Sequence, residues 1–529
     1  MRKLPLAAAL AVVIAGAAFF TVARSHDDKP APPPLTGEAA LLKPQSSVTS
    51  GSVTVEGHSI DYKAVAGTIV LHGKGADEYT PTVSMFYVAY FKKGVAPGKR
   101  PIAFIYNGGP GSSSMWLHMG AFGPKRVVTA DNTHTPAAPY QLVNNDYSLL
   151  DASDLVFIDA PGTGFSRLIA DSKDPAKRAK LLAKRQKTYY SVDGDGNAFA
   201  QFITQFLSKY GRWNSPKYLL GESYGTTRSA VVANDLENTD NVDLNGVVLL
   251  SQILNFDFSI DGPESNPGMD LPYILGLPTY AATAAYHHKL PSQPADLPTF
   301  LKQVEQFATG EYASALMAGS TLAPARKQAV AQQLHQYTGL PVAYLLKADL
   351  RVSGGMFEHE LLSQDDDTTG RLDTRFQGPS IDPMGESSEY DPQSSAISSA
   401  YVAVFNDYVR NDLKYGQDQN YRLFANIDHW IMKHNGSDGP LNVMPDLAMA
   451  MKTNPNLKVM LNSGYYDLAT PFFEGHYELH HLPMPDSLQK NISFEMYQSG
   501  HMIYAHLPSL KRLHDNVANF IESTDNVKP

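Results

Sequence analysis

The stretch Tyr218-Leu219-Leu220-Gly221-Glu222-Ser223-Tyr224-Gly225-Thr226 constrains this chain more than any other. An apolar run ends in Gly-x-Ser-x-Gly and a helix-forming stretch follows, which is the pattern of a strand, a tight turn and a helix. The glycines let strand and helix approach closely, and the turn holds the serine in a strained conformation at its apex. Its hydroxyl then stands at the top of a sheet, facing the positive end of the helix. Two readings are open on these residues alone. Ser223 is a nucleophile, or it caps the helix.

The pattern around this stretch is that of an α/β protein. Ser52–Glu56, Thr68–His72 and Ser84–Phe91 alternate and read as antiparallel strands. Arg100–Tyr106, Asp154–Asp159, Asn245–Leu250, Asn456–Leu461 and Ile492–Tyr497 read as short buried strands, and Asn197–Tyr210 and Leu507–Thr524 as helices. From 256 to 446 the alternation stops; the chain is rich in Pro, Gly and Tyr, with helical pieces at Asp296–Thr309 and Ala325–Thr338. The expected architecture is a doubly wound, mostly parallel α/β-hydrolase sheet in two parts, 51–255 and 447–529, with residues 256–446 inserted as a mainly helical cap.

Arg2 and Lys3 precede a charge-free apolar run from Leu4 to Ala23, so residues 1–25 read as a secretory signal or an uncleaved N-terminal membrane anchor. Residues 26–50, with Lys-Pro-Ala-Pro-Pro-Pro, read as a spacer. The body is therefore expected to be exported, periplasmic or secreted. With a formal net charge of -10, nothing in the composition suggests a nucleic-acid partner, and none is expected. The chain has no cysteine, which removes disulfides, thiolate metal sites and cysteine catalysis. Asp365-Asp366-Asp367, with Glu358-His359-Glu360 nearby, fits no metal-ligand spacing and reads as a solvated acidic loop. No metal or cofactor is expected.

A serine nucleophile needs a base, and the base needs an orienting carboxylate. In an α/β-hydrolase they follow in the order Ser, Asp or Glu, His, on loops after the last strands. Asp467 lies in Asn462-Ser-Gly-Tyr-Tyr-Asp467, past one strand, and His501 in Gln498-Ser-Gly-His-Met502, past the next. Each alone could be an ordinary turn residue. Three positions in this order, each at a strand end, point to a triad. Upstream, Asn107-Gly108-Gly109-Pro110-Gly111 empties a strand into bare backbone N–H groups, as an oxyanion hole requires.

With these residues in place the chain resembles the serine carboxypeptidase family, the peptidases related to carboxypeptidase Y and cathepsin A, as a cysteine-free, bacterial-type member. The likeness rests on Asn107-Gly-Gly-Pro-Gly111, Gly123-Pro124, Asp159 with Pro161-Gly-Thr-Gly-Phe-Ser166, Gly221-Glu-Ser-Tyr-Gly225, Gly464 with Asp467, and Gly500-His-Met502. It implies a Ser223–Asp467–His501 triad, an oxyanion hole from the N–H groups of Gly109 and Tyr224, and capture of a peptide's terminal carboxylate by Asn107 and Glu222. Met502 would line the pocket of the leaving residue, and the substrates would be peptide or protein C-termini. A carboxylate accepts another carboxylate only through a shared proton, so Glu222 would need a raised pKa.

The chain also departs from the family pattern. Ala121 stands where a second glutamate is usual, Ile105 where a tryptophan is, Ser112 where a cysteine is, and Tyr504 and His506 where Pro and Asp are. Loss of the second glutamate weakens the expected grip on the carboxylate. It motivates an alternative, an esterase or acyltransferase on the same scaffold; a non-catalytic binding protein that kept the fold is a third reading.

Overall fold

The computed structural model describes residues 41–427, 429–437 and 439–527. The segment read as signal or anchor, and the spacer as far as residue 40, lie outside them. Among the described residues no helix is long and apolar enough to cross a membrane.

The main sheet is built from β1 Ser46–Val55, β2 His58–His72, β3 Pro81–Lys92, β4 Ile102–Tyr106, β5 Asp154–Ile158, β6 Lys217–Ser223, β7 Gly246–Gln252, β8 Lys458–Gly464 and β9 Ile492–Tyr497. Their order is β1-β2-β3-β5-β4-β6-β7-β8-β9, with the short strand Arg167–Leu168 paired to β3. β1, β2 and β3 pair antiparallel, and β3 is antiparallel to β5. From β5 through β4, β6, β7 and β8 to β9 every pairing is parallel. The near-continuous apolar runs of β4, β5, β6 and β7 have their cause here: parallel strands are covered on both faces.

Successive residues of each strand feed opposite cores. Ala103, Ile105, Val248 and Leu250 pack on one face with Leu510, Leu513 and Val517 of the closing helix Leu507–Thr524. Phe104, Tyr106, Val247 and Leu249 pack on the other with Phe199, Ile203, Val232 and Leu447. The helix Val192–Tyr210 that supplies two of these is capped by Ser191, whose side chain accepts the Gly194 N–H, and ends at Gly211, φ 63°.

The inserted region divides in two. Helices Leu271–Tyr286, Leu297–Phe307, Pro324–Thr338 and Gly354–Glu360 share a separate core around Tyr280, Val304, Leu334 and Phe357, which reaches Leu468 and Phe472 of the sheet body. Helix Pro392–Asn411 instead packs Ile397, Ala400 and Phe405 into the first sheet core.

Within the mainly helical insertion, Asp367–Thr369 and Gln377–Pro379 form a short hairpin. Two readings need correction. β1 opens at Ser46, inside the stretch read as spacer, because Ser46–Val55 pairs with β2 over its whole length. Glu358 and His359 are buried within a helix rather than solvated.

Candidate active site

The elbow forms as its glycines require. Ser223 ends β6 with φ 60° and ψ -132°, and helix Tyr224–Asn238 starts at the next residue. That conformation costs a non-glycine residue about 1–3 kcal/mol and persists only where the surroundings impose it. A Cβ at Gly221 would stand 2.2 Å from the Gly225 carbonyl oxygen, so strand and helix could not meet there with any side chain present. Thr226 and Thr227 tie the helix to the residue after β7: Thr226 Oγ1 accepts the Ile253 N–H at 3.0 Å, and the Thr227 hydroxyl donates to the Ile253 carbonyl at 2.7 Å.

Asp467 and His501 come together. His501 Nδ1 lies 2.8 Å from Asp467 Oδ2. Asp467, fully buried, also accepts the Ala469 and Thr470 N–H groups, both at 3.0 Å, and the Thr470 hydroxyl at 2.7 Å. Burial opposes a charge on His501, but the Asp467 carboxylate, with help from Glu222, outweighs it and raises its pKa above the ordinary 6.5. His501 and Ser223 line one cavity of about 740 Å³, together with Asn107, Gly109, Glu222, Tyr224 and Met502. All the sequence-derived site residues except the buried Asp467 therefore face one space, and Asp467 touches it through His501. Tyr224 opens its helix, where first-turn N–H groups have no partner within the helix. Gly109 has φ 108°, a conformation that favours glycine.

Asn107 is held at both ends of its side chain and through its backbone. Its Oδ1 accepts the Leu117 N–H at 3.0 Å, its Nδ2 donates to Glu222 Oε1 at 2.7 Å, and its carbonyl accepts Arg228 Nη1 at 2.7 Å. Arg228 is itself buried and paired with Asp195 at 2.7 Å. The buried Tyr504 hydroxyl stands beside Glu222 and acts on it as a donor, although neither it nor Glu222 Oε2 makes a hydrogen bond of full geometry among the described residues. Burial pushes the Glu222 carboxyl up to about 7, against the opposing influence of His501, Tyr504 and Asn107. A carboxyl group there carries a proton near neutrality and can donate it in a hydrogen bond. Ala121, fully buried in the turn Leu117–Phe122, offers only a methyl group.

Sequence reasoning missed the cap's contribution. Asp261 and Arg371 line the cavity as an ion pair, Nε to Oδ1 at 3.0 Å, with Gln393, Ile397 and Phe424 beyond them. Nothing in the local pattern of residues 256–446 marks these positions. Tyr504 was visible in the sequence as a departure three residues past His501, but no role followed from that.

A strained serine between a parallel strand and a helix, with an Asp–His pair on the loops after the next strands, places the protein among the α/β-hydrolases. A family model described as serine carboxypeptidase matches residues 75–506, and the chain belongs to that family. It is 31% identical over 155 residues to a pheromone-processing carboxypeptidase KEX1 of Yarrowia lipolytica, covering 28% of this chain and 21% of that protein. It is 30% identical over 177 residues to the protein of that name from Saccharomyces cerevisiae, covering 33% and 22%. The chain thus spans about a fifth of the length of these curated relatives. The crystal structure of a prohormone-processing carboxypeptidase from S. cerevisiae superposes with a TM-score of 0.53 at 17% identity, covering 88% of this chain and 93% of that one, a likeness of fold.

Proposed function

We propose that this protein is an exported serine carboxypeptidase that removes C-terminal residues from peptides. Ser223 Oγ attacks the scissile carbonyl carbon while His501 takes its proton through Nε2. Asp467 holds the ring in the required tautomer. The carbonyl oxygen gains negative charge, which the Gly109 and Tyr224 N–H groups stabilise. The C–N bond breaks, His501 returns the proton to the leaving amine, and the acyl-enzyme remains on Ser223. Water then repeats the sequence, its proton passing to His501 and back to Ser223. Asn107 and protonated Glu222 hold the terminal carboxylate, and Met502 packs beside the leaving residue. The segment 1–25 directs export.

One observation carries this reading: a carboxyl pushed up to about 7, bonded to an amide, stands in the same cavity as the strained serine and the histidine. That arrangement suits a substrate bearing a negative charge next to its scissile bond. The methyl group of buried Ala121 favours the second reading, an esterase or acyltransferase, because it supplies no polar group to a carboxylate. Covalent labelling by an organophosphonate serine-hydrolase probe tests the first step. The parent should label and Ser223→Ala should not; labelling that persists in Ser223→Ala removes the nucleophile from this account.

A further inference from the structure

The loops that carry Asp467 and His501 are bonded to the cap as well as to the sheet. Between the two strands of the cap hairpin the chain turns through residues 370–376, and four consecutive residues of this turn meet the two loops. The Arg371 carbonyl accepts the Leu468 N–H at 3.1 Å, and the Leu372 carbonyl accepts the His501 N–H at 2.6 Å. Asp373 Oδ2 accepts the Gly500 N–H at 3.1 Å. The Thr374 N–H donates to the Tyr466 carbonyl at 2.9 Å. The residues on either side of Asp467, and His501 with its predecessor, are thus all held by one short stretch of cap.

The stretch is itself braced. Asp373 is 1% exposed; its Oδ1 accepts the Arg375 N–H at 3.1 Å, and its Oδ2 is 2.7 Å from Arg375 Nη2. The Leu372 N–H donates at 3.2 Å to Asp391, which also caps helix Pro392–Asn411. Packing leaves no slack: a Cβ at Gly500 would lie 2.4 Å from the Leu372 carbonyl oxygen and 2.5 Å from Asp373 Cβ. From the sheet side, the Ser251 hydroxyl donates to the His501 carbonyl at 2.7 Å, so the histidine backbone is gripped from both directions.

We infer that Asp373 is a positioning residue, and that the cap turn 371–374 aligns Asp467 and His501 for the chemical step in addition to shaping the cavity. This deepens the carboxypeptidase reading and rests on the proposed triad. A catalytic group displaced by about 1 Å loses on the order of 100-fold in rate, so a backbone clamp acts on turnover before it acts on affinity.

The test is steady-state hydrolysis of a free-acid peptide by Asp373→Ala, with the rate of organophosphonate labelling and the folded fraction measured alongside. The expected result is a fall in kcat of about 10- to 100-fold with KM changed less than about threefold. Labelling of folded protein should slow in proportion. Asp373→Asn keeps an oxygen for the Gly500 N–H and should recover most of the lost rate. Folded Asp373→Ala with kcat within about threefold of the parent overturns the inference, since a purely structural role moves stability and leaves turnover per folded molecule intact. If Asp373→Ala does not fold, Gly500→Ala carries the test: it presses on Leu372 without altering a charge. A tenfold loss of kcat at constant KM supports the clamp, and unchanged kcat overturns it. Ser223→Ala and His501→Ala are run in parallel; activity surviving in them would instead defeat the triad reading.

Discussion

Two buried carboxyl groups stand close to the reacting serine, and they are treated in opposite ways. Asp467, on the loop after β8, receives two backbone N–H groups, a hydroxyl and the His501 ring nitrogen. Glu222, in the elbow, receives one amide, and at its other oxygen only the Tyr504 hydroxyl stands alongside, without a bond of full geometry. Hydrogen bonds donated to a carboxylate replace the water it lost, whereas burial without them favours the proton. The first acid is therefore held by four donors and orients a histidine. The second is built to hold a proton near neutrality and lend it to a ligand. The assignment of roles follows from the number of donors around each group more than from its residue type.

Breaking the Ser223–His501–Asp467 end has the largest expected effect. Ser223→Ala should lower kcat by about 10⁵- to 10⁶-fold, measured with a peptide and with an ester. Asp467→Asn should lower kcat by roughly 10⁴-fold near neutrality, because the amide stabilises neither the required tautomer nor the charged ring. At the other end, Glu222→Leu should raise KM for free-acid peptides by about tenfold while leaving esters and amides nearly untouched, since one hydrogen bond to a charged ligand is worth on the order of 1.5–3 kcal/mol. The smallest effect is expected for Thr470→Val, which removes one of four donors from Asp467: a loss of about fivefold in kcat, corresponding to roughly 1 kcal/mol. A Thr470 effect as large as that of Asp467→Asn would erase the contrast between a redundantly held acid and a sparsely held one.

The core and the order of the site residues were legible in the sequence because each has a local cause. A buried parallel strand is an unbroken apolar run, an elbow needs its glycines, and loops after consecutive strands fall on one edge of the sheet. Ile492–Tyr497 and Leu507–Thr524 are found where the pattern placed them. The cap was less legible. Helix Leu271–Tyr286 contains Gly276 and Pro278, which oppose a helix locally, and it forms because Tyr273, Leu277, Tyr280 and Ala284 are buried in the cap core. Helix Pro392–Asn411 is rich in serine and tyrosine, and burial of Ile397, Tyr401 and Phe405 decides its fate. The turn 371–374 acts largely through backbone groups, which leave no signature in residue type. Tyr504, beside Glu222, was readable only as an anomaly; its buried hydroxyl acquires meaning from the tertiary structure.

The central claim is that Glu222 serves as a protonated receptor for a substrate carboxylate. The most direct measurement is kcat/KM for an N-blocked dipeptide with a free C-terminus divided by that for its C-terminal amide, from about pH 5 to about pH 9. Both substrates need neutral His501, whose pKa is raised, so its titration cancels in the ratio. What remains is Glu222, raised to about 7: protonated below that value and able to bind the carboxylate, charged above it and repelling the same group. The account predicts a strong preference for the free acid at low pH that declines as pH rises through about 7, and a flat ratio in Glu222→Gln. A ratio that favours the amide throughout, or one in the parent that does not change with pH, would contradict it.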